Sequence, residues 1–298
     1  MVETPVLYIT FARPEYACQS FAAIKKARPK KLYFYSNKAR SDKPDEVQRN
    51  EEVRSYINQI DWECNVKTWF RDEYVDVYTS LWGAIDWVFN NEEKAIIIEE
   101  DVVASLAFFD FVDQIIDEYK DNDRVWMISG NNAAPQYSPK GMSFFASRTQ
   151  DIYGWASWRR VWRLLDRKMY KWPEYDKSGL LKKYWGATII AWYKKRAYNK
   201  VFYNHEEFNP WDYVFSYNKA LNNAYTLMPA RNLAIDIGLQ GIHHSNRTKT
   251  PLSTFSQDVN SYVIDKKNID ITPTSYDYKH FYFVKLRNMI WSMIKNKI

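Results

Sequence analysis

EEKAIIIEEDVVAS, residues 92–105, carries an apolar run, Ala95 to Ile98, straight into three consecutive acids, Glu99, Glu100 and Asp101, before the chain turns apolar again. The apolar run reads as a buried strand. Carboxylates flush against it stand at the rim of a core, where charge is costly unless something positive neutralises it. A metal ion or a basic partner meets that need.

The chain upstream says what kind of sheet this strand joins. VLYIT (6–10), KLYFYS (31–36) and CNVKTWF (64–70) are β-rich runs, with helical patterns starting near Glu15 and Pro44. A third helix precedes the triplet, with Tyr78, Leu81, Trp82, Ile85 and Val88 at three- and four-residue steps. Strands separated by helices predict βαβ units. The fold class is therefore α/β, a mixed, mainly parallel sheet flanked by helices on both faces. In open sheets of this kind ligands bind beyond the carboxyl ends of the strands, which is where the triplet falls.

Two roles for the triplet stay open on the residues alone. Strand alternation puts Glu99 and Asp101 on one face and Glu100 on the other, and a hard cation needs only one or two carboxylates beside substrate phosphates. The alternative is a helix start, with Asp101 or Ser105 opening the run VVASLAFFDFVDQII (102–116).

After RVWMISG (124–130) the chain becomes rich in tryptophan and tyrosine with basic interruptions. No Gly/Ser/Pro linker and no internal repeat separates the halves, so one mixed domain is expected. A formal charge of +6 suits an anionic partner: nucleic acid, a phosphorylated small molecule or a membrane face. Cys18 and Cys64 have no metal-ligand spacing and read as free thiols, and the start of the chain has no signal-peptide pattern, so a cytoplasmic protein is expected. Tyr282, Leu286, Met289, Ile290 and Met293 form one stripe of a basic amphipathic tail helix, which either docks on the core or lies on an anionic membrane face. Gly-x-Ser-x-Gly is absent, and no cluster fits structural zinc.

AIIIEED after three βα units, followed in order by IYGWASWRRVW, NPWDYVF and IGLQGIHHS, resembles the GT-A nucleotide-sugar glycosyltransferases. Within them the pattern is similar to bacterial relatives of the Golgi N-acetylglucosaminyltransferase that begins hybrid-glycan branching. The resemblance covers about residues 5–250. It implies a GT-A (Rossmann-like) domain over 1–275, with a nucleotide-sugar-binding half at 1–130, an acceptor half at 131–275 and the basic helix at 276–298.

That group carries a strand-end Glu-Asp-Asp whose last aspartate holds the metal. The resemblance thus makes Asp101 the metal ligand, Glu99 a donor-sugar contact and Glu100, standing where the group has aspartate, a ribose contact. The loop TFARPEY implies Thr10 and Arg13 as donor-site residues, and SNKAR, where relatives often show Asp-Gly, implies Asn37 at the base. Gly154 and Trp155 stand where relatives line the donor sugar and acceptor. Asp212 in NPWDYVF stands where the family places its catalytic base; its plain role is an acid complementing a helix start after Pro210. His243, with His244 close behind, would complete the metal or diphosphate site, whereas His205 and His280 have no such context.

The resemblance implies Mn²⁺ or Mg²⁺, a nucleotide-sugar donor (a UDP-sugar by analogy), inversion, and a glycan or lipid-linked glycan acceptor. It implies work in bacterial lipopolysaccharide, O-antigen or capsule synthesis, with peripheral contact at the inner membrane face and no nucleic acid. Two other readings compete. A nucleotidyltransferase acting on sugar phosphates commonly has a glycine-rich loop, and TFARPEYA has no glycine. A non-catalytic sugar- or nucleic-acid-binding module leaves three acids at a strand end without a purpose.

Overall fold

Every β-rich run upstream of the triplet is a strand. The chain forms β1 (Val6–Thr10), α1 (Pro14–Ala27), β2 (Lys31–Ser36), α2 (Pro44–Ser55), β3 (Asn65–Phe70), α3 (Val77–Asn91) and β4 (Lys94–Glu99). It continues through β5 (Val102–Ala104), α4 (Leu106–Ile115), β6 (Val125–Ser129), β7 (Phe144–Ser147) and β8 (Trp155–Trp158). Then come α5 (Arg159–Arg163), α6 (Trp172–Lys177), α7 (Leu180–Trp185), α8 (Thr188–Tyr203), α9 (Trp211–Leu221), β9 (Tyr225–Pro229), β10 (Ala234–Asp236) and α10 (Tyr276–His280). These elements come from a computed structural model that describes residues 1–238, 262–265 and 275–286.

Eight strands form one sheet in the order β3-β2-β1-β4-β8-β6-β9-β7, and β5 pairs with β10 in a small ribbon. β1 is parallel to both β2 and β4, β2 to β3, and β6 to β9, while β8 and β7 run against their neighbours. The sheet is mixed and mainly parallel, as the βα spacing predicts. The register sets Ile9 opposite Glu99 and Thr10 opposite Ser36, so the carboxyl ends of β1, β2 and β4 finish side by side.

Local chemistry explains the helices around that edge. Pro14 opens α1, where its missing N–H costs nothing, and Ala17, Phe21 and Ile24 are buried on the sheet-facing side. The Asp76 side chain accepts from the Tyr78 and Thr79 amides to start α3, whose Trp82, Ile85 and Val88 are buried at the helical spacing read from the sequence. One large hydrophobic cluster runs from Val2 to Phe281 and includes residues from both sides of β6.

The two roles left open for the triplet separate here. β4 ends at Glu99, the chain turns through Glu100 and Asp101, and β5 intervenes before α4 begins. Ser105 is the N-cap of α4, its Oγ accepting from the Phe108 amide at 3.3 Å and donating to the Leu233 carbonyl at 2.8 Å. Asp101 is therefore not spent on a helix start. Ser105→Ala is expected to cost about 1 kcal/mol of stability in a denaturant titration.

The described start of the tail docks on the core. Tyr276, Asp277, His280 and Phe281 are buried, and Asp277 accepts from Ser147 Oγ at 2.6 Å and from Arg148 Nη1 at 3.1 Å. Tyr282, read in the sequence as part of the apolar stripe, is instead 61 % exposed. The chain winds as a π-helix over Phe281–Leu286, which shifts side-chain phase away from the α-helical period on which that stripe was drawn. Residues 287–298 lie outside the described residues, and among the described residues no helix is long and apolar enough to cross a membrane.

Candidate active site

Beyond the carboxyl ends of β1, β2 and β4 lies a cavity of about 910 Å³. Thr10, Arg13, Asn37, Glu99, Glu100 and Asp101 line it from the strand ends, and Asp212 from the first turn of α9. The acidic triplet and the proposed base, over a hundred positions apart in sequence, thus share one cavity.

The three acids have different surroundings. Glu100 is 3 % exposed, with Oε1 accepting from Arg13 Nε at 2.6 Å and Oε2 from the Phe11 amide at 2.7 Å. Burial raises its pKa, and Arg13 opposes that rise. The carboxylate ties the loop after β1 to the end of β4, and its backbone carbonyl accepts from Ser20 Oγ at 2.9 Å. Asp101 Oδ2 lies 3.0 Å from Arg13 Nη2, and the Asp101 carbonyl accepts from the Ile237 amide at 2.9 Å. Glu99 is half-buried, and its pKa is pushed up to about 8, first by desolvation and then by Asp101, Asp212 and Asp236, with Arg13 pulling the other way.

Arg13 bridges two of these acids. Burial works against its charge, but Asp101 and Glu100 together more than offset this and raise its pKa. Thr10 is buried, its hydroxyl donating to the Tyr35 carbonyl at 2.9 Å. Asn37 is largely engaged with backbone: Nδ2 donates to the Val75 carbonyl at 2.8 Å, and Oδ1 accepts from Lys38 and Val75 amides. Both side chains brace the cavity rim and line it.

Gly154 and Trp155 are not at the cavity. Trp155 is fully buried on β8 and stacks on Trp211 with centroids 4.6 Å apart and 20° between planes; Trp211, 3 % exposed, borders the cavity. A ring closed off in the core by β4, β6 and α9 has no face to offer a sugar. Gly154 has φ +70°, and a Cβ there would come within 2.9 Å of Ala234 Cβ, so the site requires glycine for close packing. His243 and His244 lie outside the described residues.

Sequence reasoning missed two features. Asp236 ends β10, is 7 % exposed, and reaches Glu99 electrostatically because β10 pairs with β5 immediately after the triplet. Its one local signal is an acid between apolar residues just before a glycine. At another part of the cavity wall Arg40 lies over the Tyr74 ring at 5.5 Å while pairing with Glu46, and Phe11 faces Tyr74 with centroids 6.2 Å apart.

Gly238 guards the geometry of Asp101. A Cβ at 238 would stand 2.5 Å from Asp101 Oδ2 and 3.1 Å from Asp236 Oδ1. Gly238→Ala is expected to displace Asp101 and weaken any ligand held there by about 10- to 100-fold. The check is the ligand-induced rise in melting temperature against wild type.

Among the described residues no three His, Cys, Asp or Glu side chains converge on a metal-sized point. Asp101, with Glu99 on the same rim, supplies the one or two carboxylates that a hard cation takes when substrate phosphates complete its shell. Asp101, Asp212 and Asp236 all raise the Glu99 pKa, and Arg13 lowers it.

No protein-family model matches the chain, and no curated protein matches it. Among solved structures it is similar to a 4-diphosphocytidyl-2C-methyl-D-erythritol synthase from Anaerococcus prevotii, at 8 % identity and a TM-score of 0.38 over 76 % of this chain and 87 % of that one. Mouse xyloside xylosyltransferase 1 is similar at 10 % identity and a TM-score of 0.36, over 74 % and 82 % of the two chains. HddC from Yersinia pseudotuberculosis follows at 11 % identity and a TM-score of 0.32, over 54 % and 78 %.

Proposed function

We propose that this chain is a metal-dependent glycosyltransferase. It moves a sugar from a nucleotide-sugar, by analogy a UDP-sugar, to a hydroxyl of a glycan or lipid-linked glycan, with inversion. The observation that carries this reading is the shared cavity: strand-end acids for the donor diphosphate, and Asp212 on the separate wall formed by α9.

Each part of the chain has a task. Phe11 and Tyr74 offer ring faces to the base, and Arg13 offers a cation to the diphosphate. Glu100 holds the β1 loop closed under them. Asp101, with Glu99 beside it, would hold Mn²⁺ or Mg²⁺. Bound there with the donor, that ion supplies Lewis-acid stabilisation of the charge that develops on the leaving diphosphate. Asp212 takes the proton from the acceptor hydroxyl as the bond to the anomeric carbon forms. Phe208 and Tyr78, both part-exposed, wall the same side with apolar surface suited to sugar faces. The cellular setting we favour is surface-polysaccharide synthesis at the cytoplasmic side of the inner membrane.

The test is thermal stabilisation by UDP, GDP and CDP, each with and without Mn²⁺, since a ligand bound to the folded state raises the melting temperature by mass action. A rise with one nucleotide that requires the metal is expected, and it names the donor class. No rise with any nucleotide, in folded protein, sinks the reading.

A further inference from the structure

Arg13 already pairs with the carboxylate that would hold the metal. Its Nε donates to Glu100 at 2.6 Å and its Nη2 lies 3.0 Å from Asp101 Oδ2, so one guanidinium clamps the last two acids of the triplet. The two arms have different settings. The Glu100 side chain is 4 % exposed, with its other oxygen committed to the Phe11 amide, whereas Asp101 is 14 % exposed and Arg13 31 %. A guanidinium presents its N–H groups in a rigid fork. The whole plane can pivot about the Nε–Glu100 hydrogen bond, so that Nη2 leaves Asp101 and turns toward the cavity while Nε keeps Glu100 neutralised.

From this geometry we infer that Arg13 competes with the divalent cation for Asp101 and makes the site select the metal–nucleotide complex over the free metal. The inference rests on the function proposed above. A divalent ion on the Asp101 carboxylate would lie within a few ångströms of the guanidinium on Oδ2, and the two cations repel at that range, so each weakens the other's hold. Arg13 holds Asp101 Oδ2 at 3.0 Å. A nucleoside diphosphate changes the balance: its oxygens coordinate the metal and also accept from the freed Nη2, so Arg13 exchanges one anion for another instead of being stranded. Free metal offers Arg13 no such exchange.

The experiment follows Mn²⁺ binding by loss of the electron-paramagnetic signal of the free aqua ion, with and without the nucleoside diphosphate that stabilises wild type. The proteins are wild type, Arg13→Gln, the double variant Arg13→Gln/Glu100→Gln and Asp101→Asn. The double variant matters because Arg13→Gln alone strands the buried Glu100 charge and can unfold the chain. Wild type is expected to bind Mn²⁺ weakly alone and tightly with nucleotide. Removing Arg13 is expected to tighten binding of Mn²⁺ alone by about tenfold, the worth of one charge-assisted contact. The gain from adding nucleotide shrinks accordingly.

If wild type binds Mn²⁺ with nucleotide through Asp101 but folded Arg13 variants bind Mn²⁺ alone no more tightly, the competition is refuted while the transferase reading stands. If wild type binds no Mn²⁺ even with nucleotide, both fall.

Discussion

Asp101→Asn is expected to reduce metal-dependent nucleotide binding by at least about a hundredfold, since even residues that only support a metal ligand are worth 10- to 100-fold in affinity. The substitution is nearly isosteric. Arg13 keeps its contact with Glu100, and the Ile237 amide keeps the residue 101 carbonyl, so the turn should remain folded. The measurement is the rise in melting temperature with nucleotide and Mn²⁺, which wild type shows and the variant lacks. A variant that is stabilised as strongly as wild type would remove Asp101 from the site and leave the triplet as a structural turn. Because Asp101 does not cap α4, that outcome has no ready explanation in helix stability.

Asp212→Asn separates binding from chemistry. The side chain sits in the first turn of α9, and its carbonyl accepts from Gln150 Nε2 at 2.5 Å, a bond the substitution leaves in place. Nucleotide-induced stabilisation should be unchanged within error, while sugar transfer, followed by release of the nucleoside diphosphate, falls by about 10²–10⁴. Loss of nucleotide binding, or transfer at the wild-type rate, would show that Asp212 is not the base. The pair of variants makes opposite demands on one cavity.

The sequence located the strands beneath the site with little ambiguity because β1, β2 and β4 are short apolar runs between periodic helices, and that signal is local. The role of Asp101 was not local. Asp101 and Ser105 are both plausible helix starters by type, and the choice depends on β5 pairing with β10, whose residues lie about 130 positions later. Asp236 was hidden by the same ribbon. Trp155 illustrates the opposite error. Among thirteen tryptophans its motif pointed to a sugar, yet the insertion of β8 between β4 and β6 buries it, and pattern alone cannot distinguish a central strand from a cavity wall. Trp211, one step along the same stack, borders the cavity and is itself only 3 % exposed.

That stack has an optical consequence. Two indoles held 4.6 Å apart and nearly parallel couple their transitions, and the pair should contribute a strong near-ultraviolet circular-dichroism signal that belongs to the folded state. Trp155 is fully buried and Trp211 is 3 % exposed where it borders the cavity, so the signal reports on the packing that holds the α9 wall in place. The chain thus has a built-in spectroscopic probe beside its candidate site, and the integrity of that wall can be followed in any variant without attaching a dye.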